Sequence, residues 1–189
     1  MDISTWGTNP AIRKKENLYL TSQFHVPIYD FFEYRISEGS QEYLNLMQNE
    51  LKEVVAIDAE AIQRNLSTCC YNCHGLSLAS RRGWLNDVEI VIKNDSYKLL
   101  ENNEALLPGD IVAYLDIDKG EYSITHTGII SYVSDNGNVE QVISGNKKCI
   151  IVSKWGMWGE YIHNLLKCPY TKNTTTYKIS FYRFTRTCY

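Results

Sequence analysis

The chain has 189 residues, 44% of them hydrophobic and 22% charged, with a formal net charge of -3. This is enough for one sizeable core and too little for two ordinary domains. The charge balance excludes a general nucleic-acid-binding surface and a disordered acidic tail. Fourteen tyrosines and four tryptophans predict an aromatic-rich core or cleft. There is no run of about 18 apolar residues, and Met1-Asp2-Ile3-Ser4-Thr5-Trp6 lacks the basic-then-apolar order of a secretory leader. The expectation is a chain with no membrane partner, cytoplasmic where it is made, with any export by a route independent of a signal peptide.

In chain order, residues 1–39 read as an N-terminal extension of mixed polarity, broken by Pro10, Pro27 and Ser37-Glu38-Gly39 and carrying the aromatic run Tyr29, Phe31, Phe32 and Tyr34. Residues 40–189 form the main domain. After Ser40, a plausible N-cap, the residues Tyr43, Leu44, Met47, Leu51, Val54 and Val55 recur at three- and four-residue steps and predict an amphipathic helix over 41–56. Asn72 is a good N-cap for a second helix, predicted to run through Leu76, Ala79 and Ser80 to a stop at Gly83. Strands are then expected at 88–92, 97–100, 110–115, 127–133, 139–143, 149–153 and 177–184. Turn signals at Pro108-Gly109, Asp118-Lys119-Gly120, Asp135-Asn136-Gly137-Asn138 and Ser144-Gly145-Asn146 separate most of them. Helices followed by strands on short turns predict an α+β fold, with the N-terminal helices packed on an antiparallel sheet.

Chemistry concentrates at three places: Asn72-Cys73-His74-Gly75-Leu76, Leu107-Pro108-Gly109-Asp110-Ile111-Val112-Ala113-Tyr114 and Thr125-His126-Thr127-Gly128-Ile129-Ile130. Cys73 falls in the first turn of its helix, where unpaired N–H groups and the dipole favour a thiolate by about 1 kcal/mol. A nearby imidazole is the other common way to activate a thiol. Of the six cysteines, Cys69, Cys70 and Cys73 crowd together while Cys149, Cys168 and Cys188 are scattered, a distribution that predicts free thiols.

The order of these three motifs resembles the NlpC/P60 and CHAP branch of papain-like cysteine hydrolases over about residues 66–184. The resemblance implies an amidase or peptidase with Cys73 as nucleophile, His126 as general base and acid, and a third polar residue orienting the imidazole. Val152-Ser153-Lys154-Trp155-Gly156 also resembles a Ser-Lys-Trp-Gly signature of this branch. Ser153 is the first candidate for the third position, Asn146 the second and His163 another, because an imidazole also fixes a neighbour's tautomer. Tyr71 and Asn72 are the available oxyanion donors. Trp155, Trp158 and Tyr161 wall either a cleft or the core, and His74 lines the cleft or is a packed histidine. Arg81-Arg82 reads as a solvated pair at a helix end or as a contact for an acidic substrate.

No metal or organic cofactor is expected, and the partner is a peptide or amide substrate, with a partner protein left open. The branch implies peptidoglycan-type stem peptides as the default substrate. The lack of a leader and of wall-binding repeats points rather to an exported effector or an intracellular amidase. Three other readings stand beside this one. Cys70-x-x-Cys73 with Cys69 and His74 makes half of a structural zinc site, without a second ligand pair. The same Cys-x-x-Cys as a thioredoxin-like redox motif needs a parallel sheet. A catalytically inactive papain-like domain would bind peptides or proteins without cutting them.

Overall fold

The computed structural model describes residues 12–20, 22–31, 40–118, 121–156, 158–171 and 177–185. Phe32, Tyr34, Cys188, most of the Asp118-Lys119-Gly120 turn and the first eleven residues lie outside that set. The chain is α+β. Its main sheet has seven strands, β3 (Ile62–Asn65), β5 (Tyr97–Leu99), β6 (Ile111–Asp118), β7 (Glu121–Val133), β8 (Cys149–Lys154), β9 (Glu160–Asn164) and β10 (Tyr177–Phe184). They lie in the order β3-β9-β8-β7-β6-β10-β5, and every pairing is antiparallel. A second sheet joins the hairpin β1 (Ile12–Tyr19) and β2 (His25–Phe31) to the short β4 (Trp84–Leu85).

Helix α1 (Gln41–Ile57) matches the expected span. It docks through Val54, packed with Trp155 and Tyr161, and through the buried Glu50 carboxylate. Leu44 and Val55, part of the predicted apolar stripe, are exposed. Glu50 accepts hydrogen bonds from the Gly159 amide (2.7 Å), the Tyr161 hydroxyl and the Ser67 hydroxyl. A buried carboxylate needs several donors, and these three tie α1 to the β8–β9 end of the sheet.

Two segments expected as strands are helices. Val88, Val91 and Ile92 are buried while Ile90 is exposed, so 88–92 forms helix α3 (Val88–Asn94); the i, i+3, i+4 spacing of the buried three outweighs the apparent alternation. Residues 139–143 form helix α4 (Val139–Ile143), started by a capping box in which Asn138 accepts from the Gln141 amide and the Gln141 side chain accepts from the Asn138 amide. Asn138 had the character of a turn residue, and the capping box turns that character into a helix start.

The main core holds Val112, Tyr114, Ile130, Ile151, Leu165 and Phe181. A second cluster joins Leu18, Val26 and Ile28 of the hairpin to Ala79, Leu85 and Val91, so residues 12–31 are built into the body of the domain. Helix α2 (Cys73–Leu78) lies against β7 and β8. It ends at Leu78, before the expected stop at Gly83, and the chain leaves it through Ser80 and Arg81 in the left-handed region, with φ of 50° and 62°. Close backbone approach sets the layering there. A Cβ on Gly75 would lie 1.9 Å from the Gly83 carbonyl oxygen, and one on Gly83 would lie 2.6 Å from the Tyr29 oxygen of β2. Only glycine at both positions lets helix, connecting segment and hairpin stack this tightly.

Candidate active site at the start of helix α2

Asn72 caps α2 as expected and does more. Its Oδ1 accepts from the Gly75 amide (2.8 Å) and the Leu85 amide (3.1 Å), while its Nδ2 donates to the Leu85 carbonyl (2.8 Å). The side chain therefore locks the start of α2 to β4, with one of its two amide hydrogens committed to Leu85. Tyr71 is committed as well, donating its hydroxyl to Glu160 (2.5 Å). Burial first, then this carboxylate, pushes the Tyr71 phenol up to about 12.

Cys73, the first residue of α2, is buried, and His126 on β7 is fully enclosed. A β-bulge precedes His126: Tyr114 pairs with His126 and Leu115 with Ile124, leaving Thr125 unpaired in the ladder, with its hydroxyl donating to the Tyr114 carbonyl at 3.2 Å. Bulges re-aim the next side chain, and this one directs the imidazole at the helix start. Burial works to raise the Cys73 pKa. Charge interaction with His74 and then with His126, together with hydrogen bonding to both rings, outweighs burial and holds the thiol well below its ordinary range. The His126 contact is one of proximity rather than alignment, since neither ring nitrogen has a partner of good hydrogen-bond geometry. Resting active sites often hold such contacts loosely until substrate binds.

The His126 ring is oriented by stacking. Tyr170 lies parallel to it, with centroids 4.0 Å apart and planes at 6°, and Tyr114 flanks it at 5.5 Å. Tyr170 follows Cys168 and Pro169 and carries no motif of its own. An aromatic ring as the orienting group leaves no polar signature in a sequence.

Ser153 lies on β8 opposite Gly128, two residues beyond His126. A Cβ on Gly128 would come within 3.1 Å of the Ser153 Cβ, which explains the glycine in Thr125-His126-Thr127-Gly128. The Ser153 hydroxyl bonds to His163 Nε2 at 2.8 Å and accepts from Trp155 Nε1 at 3.0 Å, and His163 Nδ1 donates to the Asn164 carbonyl at 2.9 Å. Ser153, Trp155 and His163 thus form one closed buried network whose hydrogen bonds go to each other and to Asn164, none of them to His126. Burial, ahead of the His126 charge, pushes His163 down to about 4. Asn146 is exposed, away from this network. Trp155, Trp158 and Tyr161 belong to the apolar cluster under α1, which makes them core.

Arg81 is neither a solvated helix-end charge nor a free contact for substrate. Its guanidinium grips the buried Glu160 carboxylate through Nε and through Nη2 (2.9 Å). Arg82 pairs with Glu16 of β1 at 3.7 Å. Lys154, the residue after Ser153, is fully buried and donates to the carbonyls of Gly156 (2.6 Å) and Trp158 (2.8 Å); burial brings its ammonium down to about 8. Cys69, Cys70, Cys73, Cys149 and Cys168 are free thiols. Among the described residues no group of three or more His, Cys, Asp or Glu side chains is arranged to hold a metal ion. No helix among them is long and apolar enough to cross a membrane.

Comparison with models of protein families, with curated proteins and with solved structures gave no match, so the reading of this site rests on its own geometry.

Proposed function

We propose that the chain is a thiol hydrolase of the papain-like, NlpC/P60-type kind, an amidase or peptidase acting through a Cys73 thioester. The observation that carries this reading is the pairing of a thiol made unusually acidic by its neighbours with a fully enclosed imidazole that no other group satisfies. A buried imidazole without a hydrogen-bond partner is costly to keep, and proton transfer with the thiol gives it a use. In the proposed cycle the Cys73 sulfur attacks the amide carbonyl carbon while its proton passes to His126. His126 returns that proton to the departing amine as the C–N bond breaks, leaving the thioester. A water, deprotonated by His126, then releases the acid and restores the thiol.

With the Tyr71 hydroxyl donated to Glu160, the oxyanion is assigned to the backbone N–H of Cys73, in the first turn of α2 where amides lack intrahelical acceptors, with the second amide hydrogen of Asn72 as the available partner. Peptides are the expected substrate class, with peptidoglycan-type stem peptides the first panel to try. The test is intact-mass detection of a covalent adduct on Cys73 after incubation with peptidoglycan fragments, peptide panels and an electrophilic amide mimic. Adduct formation that vanishes in Cys73→Ala supports the reading, and absence of any adduct or turnover across the panels overturns it.

A second reading, an inactive domain of the same kind that binds peptides or a partner protein, is favoured by one observation: both reacting side chains are enclosed. It predicts tight peptide binding with no adduct, unchanged in Cys73→Ala.

A further inference from the structure

We propose that His74 is a second imidazole of the nucleophilic centre, a fixed positive charge opposite the Cys73 sulfur, while His126 is the ring that moves protons. The inference rests on the hydrolase reading of the same site. Adjacent residues on a helix do not usually face each other, and His74 gains its role from the strand it touches. Its Nδ1 lies 3.0 Å from Thr127 Oγ1, and both residues are buried. The residue after the nucleophile is thereby tied to the residue after the base, which sets α2 against β7 at the point of reaction.

The two rings differ in what they can support. An imidazolium has two N–H donors, and burying a charged donor without an acceptor costs several kcal/mol. His74 has an oxygen on one nitrogen, which leaves the other for the sulfur. His126 has no aligned partner on either nitrogen. His74 is thus the ring equipped to hold a charge, and His126 the ring free to exchange a proton. The surroundings agree: burial disfavours charge on His74, but the Cys73 sulfur and then Glu89 of α3 more than compensate and raise its pKa. The other ionisable groups that face the sulfur are His126 on β7, Lys154 on β8, and Cys168 with Tyr170 after β9. In this arrangement His74 takes its proton from solvent and keeps it through the cycle. The thiol proton goes to His126 and from there to the leaving amine, so every proton is accounted for.

The test is the pH profile of Cys73 alkylation by iodoacetamide, read by peptide mass mapping with Cys70 as internal reference. The shape of the profile reports thiolate formation independently of how open the site is. His74→Asn keeps a polar group facing Thr127 and removes the charge. It is expected to slow alkylation roughly tenfold at pH 6, a shift of about one pH unit, with recovery near pH 9. Thr127→Val is expected to move the profile the same way by a smaller amount and Thr127→Ser to restore it, which keeps the test open should His74→Asn fold poorly. If peptide turnover is found, raising the pH restores it in His74→Asn but not in His126→Asn. A fast wild-type thiol whose profile is unmoved by His74→Asn and Thr127→Val overturns this inference alone. A wild-type Cys73 as slow as Cys70 at pH 6 overturns it together with the hydrolase reading.

Discussion

Glu160 on β9 and His126 on β7 are equally shielded from water, and they are built in opposite ways. Glu160 receives the Arg81 guanidinium twice, the Tyr71 hydroxyl, and Arg64 at 3.9 Å, and its pKa is lowered because these donors outweigh burial. His126 has the stacked ring of Tyr170 and the tilted ring of Tyr114 against it and no aligned hydrogen bond. Lys154, Glu50 and His163 follow the Glu160 pattern, each satisfied by several partners. A completed polar cluster holds a fold in place, whereas an imidazole left without an aligned partner is free for the proton transfer proposed for it.

The sharpest way to break this contrast is His126→Asn. Amide turnover is expected to fall about 10²–10⁴-fold, well beyond the loss of stability, where trimming a fully buried ring packed on Tyr170 and Tyr114 costs about 2 kcal/mol in urea unfolding; turnover that falls only with the folded fraction would make His126 scaffold after all. Glu160→Gln should do the reverse, costing about 3 kcal/mol in urea unfolding, near the lower end for a broken buried pair because Arg81 is 36% exposed. Its Cys73 alkylation profile should keep its shape.

His163 sharpens the comparison through pH. Held near 4 when folded, against an unfolded value near 6.5, it takes up its proton in the unfolded chain first. Its burial is therefore neutral above pH 6.5 and costs stability progressively as pH falls toward 4, on the order of 3 kcal/mol in all. His163→Gln should flatten that acid slope when urea midpoints are compared at pH 7 and 4.5, and an unchanged slope would assign the acid sensitivity elsewhere. The smallest expected effect is Gly128→Ala, about 1 kcal/mol from crowding Ser153 and Ile151, read from the thermal midpoint.

Residues whose role is local were legible in the sequence. Asn72 is a cap by its own chemistry, and the long strands from Ile111 onward, including Tyr177–Phe184, are apolar-rich runs bounded by turn residues. Val88 to Ile92 and Val139 to Ile143 misled because five apolar-rich residues satisfy both periods, and the capping of Asn138 by Gln141 decides the second case. β9 was hidden for another reason: Glu160 and His163 look like surface residues, and only Arg81, 79 positions away, and Ser153 make them interior. That Cys73 begins a helix and His126 lies on a strand was readable from their neighbours in sequence. Tyr170 was not, since its contact with His126 joins residues distant in sequence and leaves no pattern along the chain.

The paired glycines behind α2 carry one last consequence. Gly75 rests on the backbone at Gly83, and Gly83 rests on Tyr29 of the amino-terminal hairpin, so main chain bears directly on main chain across three layers. With no side chain between these layers, their separation is set by van der Waals contact of peptide groups, a spacing that repacking of neighbouring side chains cannot relax.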